Sequence, residues 1–190
     1  MIETTKDLQR VCVKVYAPEP GVSDQLFVPI FHEWIRERSL PGLVLFDVAD
    51  YAHVPDSPGI VLVTHEAHFS LDRSDGRFGL HVQRRVDAGL PTAEVIATTI
   101  RQALQVVDKL EADPRLAGKV AFDRSTLRVE SNDRLRGPTS DQGWRAFEPV
   151  VKAGVVASTG DAGARVTRVK NDPRDRLTAD VKVAASVAAR

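Results

Sequence analysis

A single cysteine, Cys12, stands in a chain of 190 residues, so no intrachain disulfide can form. Long apolar runs are missing as well. Stretches such as 43–46 and 60–63 fall far short of the ~20 residues that a membrane-spanning helix requires. Neither sign of charge is in excess: 26 basic and 26 acidic side chains leave a formal net charge of zero. That balance argues against a general nucleic-acid binder, which needs surplus Lys and Arg facing phosphate. It argues equally against a polybasic membrane-surface protein. Blocks of like charge are lacking, so no charged disordered tail is expected. The N-terminus carries early acids and no apolar stretch, unlike a secretory signal, and the cytoplasm is the expected compartment. There is no G-x-G-x-x-G, no phosphate-binding Gly-Lys-Ser/Thr loop, no G-x-S-x-G elbow and no C-x-x-C.

What remains is an ordinary globular composition, 43% apolar and 27% charged, in a length that fits a single domain over 1–190. Residues 10–16 alternate strictly. Val11, Val13 and Val15 face one way, and Cys12, Lys14 and Tyr16 the other, as in a half-buried strand. Leu26, Phe27, Ile30, Phe31, Trp34 and Ile35 recur at helical spacing, although Pro29 argues for a regular start near that residue. Residues 43–51 are apolar on both faces, which predicts a central strand. Residues 59–71 read as one long strand and 77–86 as another. The clearest helix runs over 92–113, with Ile96, Ile100, Leu104, Val107 and Leu110 on one face and Pro114 as its stop. A strand over 119–130 with a bend at 123–125, a helix capped by Ser140, and strands at 165–170 and 177–183 complete the pattern. The expected fold class is α+β: a largely antiparallel sheet with about three helices packed mostly on one face. The tripeptide Ser-Asp-Gln recurs at 23–25 and 140–142, which suggests a weak internal duplication of 8–86 and 119–184.

All five histidines lie between residues 32 and 81, so chemistry is expected there rather than in the C-terminal half. On a strand over 59–71, His65 points with Val61, Val63 and Phe69 toward the core edge, and Glu66 points with His68. Asp75-Gly76 between alternating runs predicts a two-residue hairpin turn with positive φ at both positions. Opposite residues then sum to 151, pairing Phe69 with Val82, Leu71 with Leu80 and Ser70 with His81. One face of this hairpin carries Glu66, His68, Ser70, His81, Gln83 and Arg85. It is either a solvated surface with a Glu66–Arg85 pair, or a ligand or metal site built on Glu66, His68 and His81, a set suited to a divalent transition metal. Asp47, Asp50 and His53 form a second candidate group at the far end from His68. Asp50 and Asp56 also read as turn formers beside Pro55 and Pro58. Asp47, among Leu45, Phe46 and Val48, is expected to be buried with a partner. Cys12 reads as a small core-edge residue rather than a nucleophile.

The stretch from Asp47 through Asp50, Tyr51, His53 and Pro55, continued by Pro58, Gly59, His65, Glu66, His68, Phe69 and Asp72, resembles a group of uncharacterised bacterial proteins of similar length. The similarity extends to Asn132-Asp133-Arg134-Leu135 and to residues 172–176. The resemblance implies a single intact domain of bacterial origin. It carries no activity, cofactor or catalytic residue. Two functional classes follow from the residues. One is a cytoplasmic interaction or ligand-binding protein with its working surface in residues 43–85, open to a second copy or another protein as partner. The other is a metal-assisted enzyme using the His/Glu cluster of the 66–85 hairpin.

Overall fold

A computed structural model describes residues 8–54 and 57–184. Residues 1–7, Pro55, Asp56 and 185–190 lie outside the described residues. The eight strands are β1 (Val11–Tyr16), β2 (Leu45–Asp50), β3 (Ile60–Thr64), β4 (Ala67–Asp72), β5 (Gly79–Arg84), β6 (Asp123–Ser131), β7 (Arg165–Arg168) and β8 (Thr178–Lys182). They form one antiparallel sheet in the order β2-β3-β4-β5-β1-β6-β8-β7. The helices are α1 (Phe27–Glu37), α2 (Thr92–Ala112) and α3 (Asp141–Thr159). The α+β class holds. Among the described residues no helix is long and apolar enough to cross a membrane.

The alternation of β1 sets the architecture. All six of its residues are buried, so the strand is not the half-buried one expected: Cys12, Lys14 and Tyr16, on the face opposite the core, are covered by polar side chains such as Asp75, Arg77 and Arg176. Val11, Val13 and Val15 join one hydrophobic core with Phe69, Leu80, Val82, Leu127, Val129, Ala179 and Val181 from neighbouring strands. The helices supply the other half of that core. Ile96, Ile100, Val107 and Leu110 of α2 are fully buried, as are Phe147, Val151 and Val155 of α3. Leu104 packs on the core but is only partly buried. Gly154 lets α3 approach α2 closely, because a Cβ there would lie 2.7 Å from the Ala93 carbonyl oxygen and 2.8 Å from Ile96 Cβ. All three helices thus cover the face of the sheet that Val13 occupies.

Both Ser-Asp-Gln tripeptides act as helix caps. Ser140 accepts a hydrogen bond from Gly143 N at 3.0 Å, and Ser23 accepts one from Gln25 N at 3.3 Å. The second cap opens a single 3-10 turn, Asp24–Leu26, which leads into α1 at Phe27. Regular helix therefore begins two residues before Pro29. That places the proline in the first turn, where its missing N–H has no intrahelical partner to lose.

Three further expectations change. Residues 43–51 do not make a central strand: β2 is the sheet edge and pairs only with β3. Val44 and Phe46 are accordingly more than half exposed. Asp47 is exposed rather than buried, and its Oδ1 accepts from the backbone of Val48 at 2.8 Å. Apolar side chains on both faces are compatible with an edge, where one row faces solvent without any buried polar group to satisfy.

Residues 59–71 are two strands, not one. Thr64 Oγ1 accepts from Ala67 N at 3.1 Å and donates to Ala67 O at 2.8 Å, closing a tight turn over His65 and Glu66. The turn reverses the phase of the chain. Val63 pairs with His68 and Val61 with Ser70, so these valines share the face of His68 rather than that of Phe69. His65 is exposed, edge-on to the Phe46 ring at 6.2 Å, and is not a core-edge residue.

The β4–β5 register is the expected one, with Phe69 opposite Val82, Ser70 opposite His81 and Leu71 opposite Leu80. Its turn is different. The ladder ends at Asp72 and Gly79, and the six-residue loop between them contains a turn closed by Gly76 N on Arg73 O at 2.8 Å. Gly76 has φ +76°, whereas Asp75 does not enter the positive region. A six-residue loop and a two-residue turn with the same centre give the same register, which explains why the pairing holds while the turn type does not.

The packing of α2 predicts a gradient along its buried face. Ile100→Ala should cost ~2–5 kcal/mol, because it opens a cavity between helix and sheet. Leu104→Ala should cost clearly less, since Leu104 keeps contact with solvent. Chemical denaturation of the two variants checks this, and equal losses would contradict the packing.

Candidate functional site

Among the described residues, no helix or second sheet lies on the face of the sheet opposite the helices. That face carries a cavity of about 720 Å³ lined by residues from β1 to β6, by Tyr51, Ser57 and Pro58, and by residues between 169 and 178. Its floor follows from register. One row across the sheet runs Asp47, Val63, His68, Gln83, Cys12, Glu130, Thr178. The next row runs Ala49, Val61, Ser70, His81, Lys14, Arg128, Asp180. The side toward β2 and β3 is an apolar wall of Ala49, Pro58, Val61 and Val63, and the centre is polar and charged.

Lys14 occupies the middle of this floor with its side chain 3% exposed. Its ammonium donates to Asp72 Oδ2 at 2.6 Å, Asp75 Oδ1 at 2.5 Å and the Arg77 carbonyl at 2.8 Å. All three donors are therefore satisfied. Asp75 Oδ2 accepts from Tyr16 OH at 2.8 Å and Arg128 Nη1 at 2.9 Å, and Arg128 Nε continues to Asp180 at 2.8 Å. Burial works to raise the Asp75 carboxyl, but Lys14, Tyr16 and Arg128 outweigh it and hold the group below the usual aspartate range. The Tyr16 phenol is pushed above its ordinary value, chiefly by burial and then by its bond to Asp75.

Beside this network Cys12 Sγ, an imidazole nitrogen of His81 and a carboxylate oxygen of Glu130 all lie within 4.8 Å of one another. His81 reaches diagonally across β1, placing Nε2 3.7 Å from Glu130 Oε2. Arg176, from the chain leading into β8, sets Nη1 3.0 Å from Glu130 Oε2 and 3.5 Å from Cys12 Sγ. Burial alone would lower the His81 imidazole; Cys12 and Glu130 overcome it and hold the ring well above the ordinary histidine value. Burial likewise opposes the Glu130 carboxylate, while His81 and Arg176 keep it below the usual range.

The structure divides the expected site residues. His68 and His81 line the same cavity, in adjacent rows of the sheet. Glu66 sits in the β3–β4 turn, where Thr64 Oγ1 approaches its carboxylate at 3.4 Å, and it does not join His81. The expected Glu66–Arg85 side-chain pair is replaced by a contact between Arg85 Nη1 and His68 Nε2 at 2.9 Å. Arginine only donates, so this nitrogen accepts and is occupied. The His68 imidazole is lowered from its ordinary value, first by burial and then by the Arg85 charge.

Asp47 lies level with His68, two strands away. Asp50 and His53 lie farther along, at the exposed end of β2. Asp50 accepts from Gln25 Nε2 at 2.7 Å and Ala52 N at 2.9 Å, bonds that hold its carboxyl below the usual range. Asp47, Asp50 and His53 are not brought together around one point. Sequence reading missed Cys12 and Glu130 as partners of His81, and Lys14 and Arg176 beside them. The alternation Leu127-Arg128-Val129-Glu130 placed two charges on the open face, but nothing local indicated that β6 lies beside β1. Scanned against protein-family models and against curated proteins, the chain matches none.

The Lys14 network gives a signed pH dependence. Because Asp75 is held below its unfolded value, its stabilisation is present above the ordinary aspartate pKa and fades as pH falls through the lowered one. Lys14→Met should cost ~3 kcal/mol near neutral pH by stranding the buried Asp72 carboxylate and the part-buried Asp75. The gap from wild type should narrow in acid as Asp75 protonates. Urea unfolding of both proteins at pH ~7 and ~3 checks this, and a gap that widens in acid would contradict the assignment.

Proposed function

We propose that the protein binds a small organic ligand in the cavity on the helix-free face of its sheet. The observation that carries this reading is the cavity itself. Its volume of about 720 Å³ is in the range of small-molecule sites, and an apolar wall stands beside a polar floor. The floor charges are largely spent on one another: Lys14 on Asp72 and Asp75, Arg128 on Asp75 and Asp180, Arg176 on Glu130. A ligand therefore meets oriented dipoles and paired charges rather than a strong net field. This favours a molecule with an apolar part against Val61 and Val63 and an uncharged, hydrogen-bonding part over His81 and Gln83. The working surface includes much of residues 49–83 and extends to β1, β6 and the 169–178 segment.

A neutral, polarity-sensitive naphthalene dye (Prodan) tests the proposal. It should bind the folded protein with a blue-shifted emission. Val61→Phe, which fills the apolar wall, should weaken binding roughly tenfold or more while leaving the circular dichroism spectrum unchanged. Val63→Phe should act in the same direction. Equal dye binding by wild type and both variants would reject the cavity as the site.

A further inference from the structure

We propose that Cys12, His81 and Glu130 form a binding site for one divalent transition-metal ion, zinc or cobalt, at the cavity floor, and that the Arg176 guanidinium holds its place when no ion is bound. The donor set is one thiol sulfur, one imidazole nitrogen and one carboxylate oxygen, all within 4.8 Å of one another. Three such ligands with one open position are the usual composition of a reactive zinc centre. The spacing suits an ion better than a direct bond. His81 Nε2 and Glu130 Oε2 are 3.7 Å apart, too far for a hydrogen bond. A tetrahedron with bonds of about 2.1 Å has edges of about 3.4 Å, so a small inward rotation of either side chain completes the site. The three ligands come from β5, β1 and β6, adjacent strands in the middle of the sheet, which holds them rigidly. His81 and Glu130 line the cavity, so the open coordination position faces it.

Arg176 supplies the second part of the argument. Its Nη1 contacts Glu130 Oε2 at 3.0 Å and Cys12 Sγ at 3.5 Å, the same two residues a metal needs. A positive charge is thus already drawn to this position. Arg176 comes from the segment before β8 rather than from a strand, and its side chain is 38% exposed, so it can swing into the cavity and release both ligands. Ion and guanidinium compete for one place.

Cobalt titration of protein free of any affinity tag tests this. The measurement is run in mild alkali, because thiol and imidazole ligands bind as their deprotonated forms. Cys12 is the one cysteine of the chain, so any thiolate-to-cobalt charge-transfer band reports Cys12 directly. The expected result is such a band saturating at one equivalent, displaced by zinc. His81→Gln should lose the band. Arg176→Gln should bind cobalt roughly tenfold more tightly than wild type, because the competing cation is gone. Absence of the band from both wild type and Arg176→Gln would overturn the site. An unchanged or weaker affinity in Arg176→Gln would overturn the competition. Dye binding at the apolar wall is read separately, so this proposal and the ligand proposal can fail independently.

Discussion

The rest of the structure hangs on a lysine held almost entirely out of water. Lys14 lies in the strand at the centre of an eight-stranded sheet, and its side chain is 3% exposed. A buried ammonium is tolerable only if its donors and its charge are both answered. Asp72, Asp75 and the Arg77 carbonyl answer them, and all three come from the end of the β4–β5 hairpin. The requirement therefore fixes more than one side chain. It draws the 73–78 loop back over the open face, which places Asp75 where Tyr16 and Arg128 can also reach it. A chain of alternating charges then runs from Asp72 through Lys14, Asp75 and Arg128 to Asp180, tying the two halves of the sheet together on the side that has no helices.

That chain explains how the sheet keeps an uncovered face. On the helix side, burial of aliphatic and aromatic side chains supplies the stabilisation. On the other side, hydrophobic covering would fill the cavity. Paired charges offer a different solution: they are satisfied among themselves, they resist collapse, and they leave a polar surface that does not demand a partner. The apolar wall at Val61 and Val63 borders this region and does not cross it.

Fold class was legible in the sequence because it depends on local patterns. The strand at residues 10–16, the 3.6-residue stripe of α2 and the cap at Ser140 each rest on signals within a few residues, and each forms, although the strand is buried on both sides rather than one. The β4–β5 register was legible for the same reason, since the apolar match of Phe69 with Val82 and Leu71 with Leu80 fixes it whatever the turn. What failed was the phase of residues 59–71. A continuous strand through Thr64-His65-Glu66-Ala67 contains no glycine or proline to mark a reversal. The turn is made by a threonine hydroxyl bonding to Ala67, a signal too weak to read from composition. That single turn moved Val61 and Val63 to the cavity and removed Glu66 from it. Asp47 failed for a related reason: a strand apolar on both faces does not declare whether it has one neighbour or two.

The hairpin bank of the cavity, His68, Ser70, His81 and Gln83, was legible, but the cluster of Cys12, His81 and Glu130 was legible only in its histidine. His81 was identified from the hairpin, but its partners Cys12 and Glu130 lie 69 residues before it and 49 after it in the chain. They meet because β1 lies between β5 and β6, and no local pattern specifies that order. The histidine-rich window over 32–81 therefore holds only one bank of the site. The other bank consists of Arg128, Glu130 and Arg176, from a half of the chain with no histidine or cysteine. Such residues read as ordinary surface charges until a strand order brings them against a buried thiol. The chemistry of this face belongs to the seam along β1. Its donors are spread over three strands, so each is held by hydrogen-bonded ladders on both sides. That rigidity fixes the spacing of the three donors across the floor of the cavity.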